Sequence, residues 1–85
     1  MNKSAKAVCN FLIANKHDID CVLMFRRSAS IRQQWYVKTM YRYISEATAQ
    51  QVITQLQLKQ LPGYMLDRCY VGDFIYVLLE NVHRY

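Results

Sequence analysis

Pro62, Gly63 and Gly72 are the only proline and glycines in this chain of 85 residues. So few helix-breaking and flexible residues cannot form an interdomain linker, and no internal repeat or low-complexity tract is visible. The sequence therefore predicts one domain over residues 1–85, with a single modest core and marginal stability. Its hydrophobic content of 53% indicates a globular chain rather than a disordered one.

The same three residues border the clearest predicted elements. A helix is predicted over residues 45–60, because Ser45 can cap it, apolar residues recur at helical spacing, and Pro62 and Gly63 follow it. The dipeptide Gly72-Asp73 is typical of a two-residue hairpin turn. It predicts strands over 64–71 and 74–81, with Val71 opposite Phe74.

The first half of the chain predicts a helix over 4–16, a strand over 19–26, a loop over 27–32 and a second strand over 34–44. A helix over 34–44 stays open, because Tyr36, Met40 and Tyr43 also fit the helical period. The element order α-β-β-α-β-β predicts an α+β fold, with an antiparallel sheet and two helices on one face. The alternative is a winged helix, in which 31–44 is helical, 45–60 is the recognition helix and 64–81 is the wing.

Charge is distributed unevenly along the chain. The formal net charge is +5, and the 25 residues between Asp20 and Glu46 contain no acid. This acid-free window holds five cations and five aromatic residues, which are Arg26, Arg27, Arg32, Lys38, Arg42, Phe25, Trp35, Tyr36, Tyr41 and Tyr43. Cations interleaved with aromatic rings are typical of surfaces that bind phosphates and bases.

The strand interpretation divides this window into two faces. It places Tyr36, Lys38 and Arg42 outward, and it places Trp35, Val37 and Tyr41 toward the core. The sequence thus predicts a small non-enzymatic protein that holds nucleic acid, DNA or RNA, through residues 25–43. The predicted contacts are Arg26, Arg27, Arg32, Trp35, Tyr36, Lys38 and Arg42. Two alternatives stay open: an interaction module or inhibitor that docks this basic face on an acidic partner protein, and an ordinary solvated surface.

The predicted helix over 45–60 has an unusual polar face. From Ala47 to Leu58 it carries no charged residue, although exposed helix faces are ordinarily rich in Lys and Glu. Charge depletion is typical of interface cores. The possible interface residues are Gln50, Gln51, Thr54 and Gln55, and a homodimer is one candidate assembly.

Signals for catalysis, metals and membranes are weak. The acids are scattered, there is no glycine-rich phosphate loop, and Cys9, Cys21 and Cys69 lack metal-ligand spacing. We expect three reduced thiols, no metal, no cofactor and a cytoplasmic protein without a membrane span. A small metal-independent ribonuclease is the third and least favoured hypothesis; its candidate residues are Arg68, His83, Arg84 and Tyr85. The tail over 82–85 is expected to be partly loose.

Overall fold

A computed structural model describes residues 1–66 and 73–85. Within these ranges lie two α-helices, five strands and three short 3-10 helices. The helices are α1 (Lys3–Ala14) and α2 (Glu46–Leu56), and the strands are β1 (Leu23–Phe25), β2 (Trp35–Val37), β3 (Arg42–Ile44), β4 (Lys59–Pro62) and β5 (Phe74–Val77). The 3-10 helices are Ile31–Gln33, Gly63–Met65 and Leu79–Arg84. The predicted α+β fold is confirmed.

The five strands form one antiparallel sheet in the order β3-β2-β1-β5-β4. β1 is the central strand, so Leu23 is paired with Val37 of β2 on one side and with Tyr76 of β5 on the other. The segments β1, β2 and β3 follow one another both in sequence and in the sheet. The acid-free window is therefore concentrated at the β3 edge of the sheet.

Both helices pack on one face of the sheet, as predicted. Leu23, Trp35, Val37 and Ile44 project from this face and are buried in one cluster with residues of both helices. The helical members of the cluster are Ala5, Val8, Cys9 and Leu12 of α1 and Ala49 and Val52 of α2. Asn2 caps α1 by accepting the Ala5 N–H, and Ser45 caps α2 by accepting the Thr48 N–H. These caps satisfy N–H groups that a helix start leaves without partners.

The opposite face of the sheet is buried as well. Val22, Met24, Ile75 and Val77 form a second core cluster. Leu66, Val82 and Tyr85 pack against it, so the C-terminal segment covers this face. Alternate residues of the central strands consequently enter different cores, which explains why β1 and β5 are apolar at nearly every position.

The C-terminal segment is bound in place by its polar side chains. The Asn81 amide donates to the Lys16 carbonyl at 2.7 Å, the Arg84 guanidinium donates to the His17 carbonyl at 2.9 Å, and the Tyr85 hydroxyl donates to the Ile19 carbonyl at 2.8 Å. Burial raises the pKa of the Tyr85 hydroxyl above its ordinary value. The expectation of a partly loose tail is therefore wrong, because these side chains satisfy backbone carbonyls after α1.

The segment predicted as one strand over 34–44 forms two strands and a turn. β2 and β3 pair directly, with Val37 opposite Arg42, and residues 38–41 reverse the chain between them. Thr39 has φ 71° and Tyr41 has φ 56°, so two non-glycine residues adopt left-handed backbone conformations in the turn. The open helical alternative for this segment is wrong, and so is the winged-helix arrangement that depended on it.

The second half of the chain also differs from the prediction in register. α2 ends at Leu56, because Gln57 adopts φ 54° and its N–H donates to the Ile53 carbonyl. β4 then pairs with β5, with Pro62 opposite Phe74 and Leu61 opposite Ile75. The predicted first hairpin strand over 64–71 is therefore wrong where it is described, since Gly63–Met65 is a 3-10 helix. Cys69, Val71 and Gly72 lie outside the described residues.

The turn conformation gives a direct stability prediction. Tyr41 is 82% exposed at φ 56°, a conformation that glycine adopts more readily than residues with a Cβ. We expect Tyr41→Gly to be more stable than Tyr41→Ala by about 1 kcal/mol, because both lose the exposed ring but only alanine keeps the steric cost. Urea denaturation measures this difference. Equal stability of the two variants would show that the turn is not strained at this position.

Candidate nucleic-acid interface

The cations of the acid-free window lie at the two ends of the β1–β2–β3 unit. The loop between β1 and β2 carries Arg26, Arg27 and Arg32, and the turn between β2 and β3 brings Lys38 and Arg42 to the other end. The three strands between these ends are each three residues long. At about 3.3 Å per residue, the two groups of cations are close enough to contact one extended ligand.

Strand pairing corrects the predicted division of the window into two faces. Side chains directly opposite each other in an antiparallel pair lie on the same face of the sheet. Arg42 is opposite Val37, on the helix-facing side, whereas Tyr36 is opposite Tyr43, on the other side. The prediction that Tyr36, Lys38 and Arg42 share one face is wrong, because the turn at 38–41 interrupts the strand alternation. Tyr41, which was expected to face the core, is exposed instead.

Trp35 belongs to the core and not to the surface. It is 3% exposed, and its ring lies 4.7 Å from the Phe25 ring and 5.4 Å from the Tyr76 ring, measured between centroids. The predicted core side of β2 is thus confirmed for Trp35 and Val37. A ring this deeply buried offers no face on which a base could stack.

Two cations of the window have partners within the protein. The Lys38 ammonium lies 3.4 Å from the Asp20 carboxylate. The Arg27 guanidinium lies 5.5 Å from the centroid of the Phe74 ring, and the backbone N–H of Arg27 donates to the Asp73 carboxylate at 3.1 Å. Asp20 and Asp73 flank the acid-free window in space although they lie outside it in sequence. The positive potential is therefore smaller near these two residues than the sequence indicates.

Arg26, Arg32 and Arg42 have no ion pair with any residue in 1–66 or 73–85. Arg32 and Arg42 are exposed, and Arg26 is half-buried. On the face away from the helices, the Tyr36 and Tyr43 rings lie 5.0 Å apart. Tyr36 packs against the second core cluster, whereas Tyr43 at the sheet edge is 44% exposed. A ligand can therefore reach these cations and Tyr43, and Tyr41 is exposed as well.

A groove at the start of α2 joins a cation to an aromatic ring. Its volume is about 290 Å³, and it is lined by Ile31, Arg32, Tyr43, Ile44, Ser45 and Glu46. Ile31 is 86% exposed at its rim. This is the Arg32–Tyr43 groove. Of its lining residues only Arg32 was predicted as a contact. Tyr43 belongs to the acid-free window. The face of the sheet on which it lies depends on the hairpin register, and no local sequence pattern gives that register.

The backbone at the β3 edge adds polar groups beside this groove. The Arg26 N–H donates to the Gln34 carbonyl, and the Lys38 N–H donates to the Val22 carbonyl. The Gln34 carbonyl and the Lys38 N–H, at the two ends of β2, therefore face β1. Backbone groups alternate in direction along a strand. Those of Trp35 and Val37 therefore bond to β3, and the N–H and C=O of Tyr43 face the open edge of the sheet. A single residue with outward-facing backbone groups is too short to pair with another strand, but it can bond to a small ligand.

The predicted interface on α2 comes together as one surface. An open groove of about 370 Å³ is lined by Met1, Gln50, Gln51, Thr54 and Gln55. Gln51 already accepts the Asn2 N–H at 2.7 Å, which binds the N-terminal segment beside the helix. The four predicted residues are adjacent, and their role in an interface stays a prediction.

The structure describes three of the four residues of the ribonuclease hypothesis, which stays a prediction. Arg84 and Tyr85 are engaged with backbone carbonyls, His83 is exposed, and Arg68 lies outside the described residues. Cys9 and Cys21 are buried free thiols, as expected, and burial raises the pKa of both. Cys69 is not among the described residues.

The potential metal ligands His, Cys, Asp and Glu are scattered over residues 1–66 and 73–85. Nowhere in these ranges do three potential metal ligands come together. Neither α1 nor α2, the two α-helices described, has the length and apolar character needed to cross a membrane. Comparisons of the chain with protein-family models, with curated proteins and with solved structures give no match.

Proposed function

We propose that this protein is a small non-enzymatic module that binds single-stranded nucleic acid along the β3 edge of its sheet. Arg32 and Arg42, assisted by Arg26, contact phosphates, and Tyr43 stacks on a base. The observation that carries the proposal is the Arg32–Tyr43 groove, which places a cation without an ion pair among the described residues beside a half-exposed aromatic ring. Cationic side chains that contact phosphates, next to a ring on which a base stacks, are typical of proteins that bind single strands.

Electrostatics supports a polyanionic ligand. The chain carries a net charge of +5, and Arg32 and Arg42 are exposed at one sheet edge. Each phosphate that they neutralise releases counterions from the single strand. Each such phosphate makes log affinity fall with a slope of about 0.7 against log salt concentration. Binding through this edge is therefore expected to weaken steeply as salt increases.

An acidic partner protein is the second candidate, favoured by the exposed side chains Ile31 and Tyr41 beside the same cations. Aromatic, aliphatic and arginine side chains together are typical of interaction hot spots. Such a partner would use the same edge but would not require a free ring for stacking. Capture of a single protein that survives nuclease treatment and depends on Ile31 and Tyr41 would favour this candidate.

Charge reversal at the edge tests the nucleic-acid proposal. We expect Arg32→Glu to weaken binding of a labelled single-stranded dodecamer by about tenfold or more at low salt, measured by fluorescence anisotropy. The matched control is Lys59→Glu, which makes the same change in net charge at an exposed position on β4, the opposite edge of the sheet. It should weaken binding by less than about threefold, since only long-range attraction is lost.

Two results would contradict the proposal. Wild-type protein that binds neither RNA nor DNA at low salt would exclude nucleic acid as the ligand. Equal losses with Arg32→Glu and Lys59→Glu would show that net charge alone, and not the β3 edge, controls binding.

A further inference from the structure

We infer that the Arg32–Tyr43 groove selects a guanine base, with the Glu46 carboxylate as the group that recognises it. This inference rests on the proposed function, because it requires a single strand at the β3 edge. It concerns Glu46, the acidic residue in the lining of the groove, whose charge phosphate binding does not explain. A carboxylate beside the phosphate-binding Arg32 reduces the local attraction for a polyanion.

Guanine supplies the chemistry that such a carboxylate matches. An ionised carboxylate only accepts hydrogen bonds, and it can accept two in parallel. The Watson–Crick edge of guanine carries two adjacent donors, the N1–H and the exocyclic amino group. Adenine and cytosine present an acceptor next to their amino group on that edge, and uracil or thymine presents a single donor between two acceptors. Glu46 can therefore pair with two donors only on guanine.

The remaining lining residues suit one unpaired base. Tyr43 offers a half-exposed ring on one side, and Ile31 offers exposed apolar surface at the rim. A base that stacks on Tyr43 and contacts Ile31 loses contact with water there, which strengthens the hydrogen bonds at its edge. The groove volume of about 290 Å³ lies at the small end of ligand sites, so it fits a single base rather than a base pair.

Glu46 also has a structural contribution that must be separated from recognition. It is the first residue of α2, directly after the cap Ser45, where a negative charge stabilises the helix dipole. Loss of that contribution would lower the stability of the protein by the same amount, whichever oligonucleotide is present. It would not change the ranking of four oligonucleotides that differ in one base.

The test uses four single-stranded RNA octamers. Each has uridine at every position except one central position, which carries G, A, C or U. A matched DNA set has the same design on a thymidine background. We expect wild-type protein to bind the G octamer at least about tenfold more tightly than the others, the usual discrimination of two good hydrogen bonds to a base. Glu46→Gln should remove this preference while leaving affinity for the A, C and U octamers unchanged or slightly higher. The control is Glu80→Gln, the same substitution at another exposed acid, within the 3-10 helix Leu79–Arg84.

The outcomes separate this inference from the proposed function. Octamers that bind without any preference for G would overturn the inference and leave the proposed function standing. A preference for G that persists in Glu46→Gln, with normal thermal stability, would show that Glu46 does not recognise the base. Failure of wild-type protein to bind any octamer of either set would overturn both.

Discussion

Removal of residues 79–85 is expected to unfold this domain. The second core cluster, Val22, Met24, Ile75 and Val77, is closed on one side by Val82 and Tyr85. Burial of such side chains contributes about 1.5–3 kcal/mol each, and a domain of this size has only about 5–15 kcal/mol in total. Truncation would expose part of the cluster and remove the hydrogen bonds to the Lys16, His17 and Ile19 carbonyls. The free energy lost in this way is comparable to the whole free energy of unfolding. Loss of the cooperative thermal transition in circular dichroism would be the expected result.

Point substitutions distinguish this structural role from a general effect of shortening the chain. The His83 side chain is exposed and makes no hydrogen bond or ion pair to the described residues, so His83→Ala should leave the melting temperature unchanged. Tyr85→Phe keeps the packed ring but loses the bond to the Ile19 carbonyl, at a cost of about 1 kcal/mol. A truncated protein that melts cooperatively at the wild-type temperature would show that the segment does not stabilise the fold.

Sequence patterns could not reveal this role of the tail. Val82, His83, Arg84 and Tyr85 show no clear periodicity, and a short polar terminus ordinarily frays. The side chains of Asn81, Arg84 and Tyr85 donate to backbone carbonyls more than 60 residues earlier in the chain. No local signal indicates such contacts, because every carbonyl is a potential acceptor until the fold brings one near.

The divided strand shows a second limit of local signals. Residues 38–41 contain none of the Gly, Asn, Asp or Pro residues that ordinarily mark a turn, and Thr39 and Tyr41 have high strand propensity. Tertiary contacts determine the turn instead. Met40 packs against the helix-facing core, and Lys38 pairs with Asp20. Where local propensity was unopposed, as at the cap Ser45 and the apolar stripe of α2, the sequence predicted the element correctly.

The candidate site was predictable in charge but not in geometry. The acid-free window does occupy the β3 side of the sheet, because its strands β1, β2 and β3 are consecutive in the sheet. The pairing of Tyr36 with Tyr43, and the return of Asp20 and Asp73 to the window, depend on strand register and chain reversal. Glu46 joins the groove only because α2 starts immediately after β3.

Trp35→Ala is expected to be the most destabilising single substitution in the helix-facing core. The Trp35 ring packs between Phe25 and Tyr76, so it connects β1, β2 and β5 across the sheet. Replacement of a buried tryptophan by alanine leaves a large cavity and costs about 3–5 kcal/mol. Against a total of about 5–15 kcal/mol, this loss would leave a protein that is partly unfolded at 37 °C. Urea denaturation followed by circular dichroism measures the change.

Trp35→Phe provides the matched control, because it keeps an aromatic ring in the same layer. The Trp35 indole N–H is buried without a hydrogen-bond partner in the described residues, and such a group costs about 1–3 kcal/mol. Phenylalanine removes that cost while creating only a small cavity, so the two effects oppose each other. We therefore expect Trp35→Phe to lie within about 1.5 kcal/mol of the wild type. A loss as large as that of Trp35→Ala would mean that the indole N–H has a partner and that the ring alone does not account for the stability of this core.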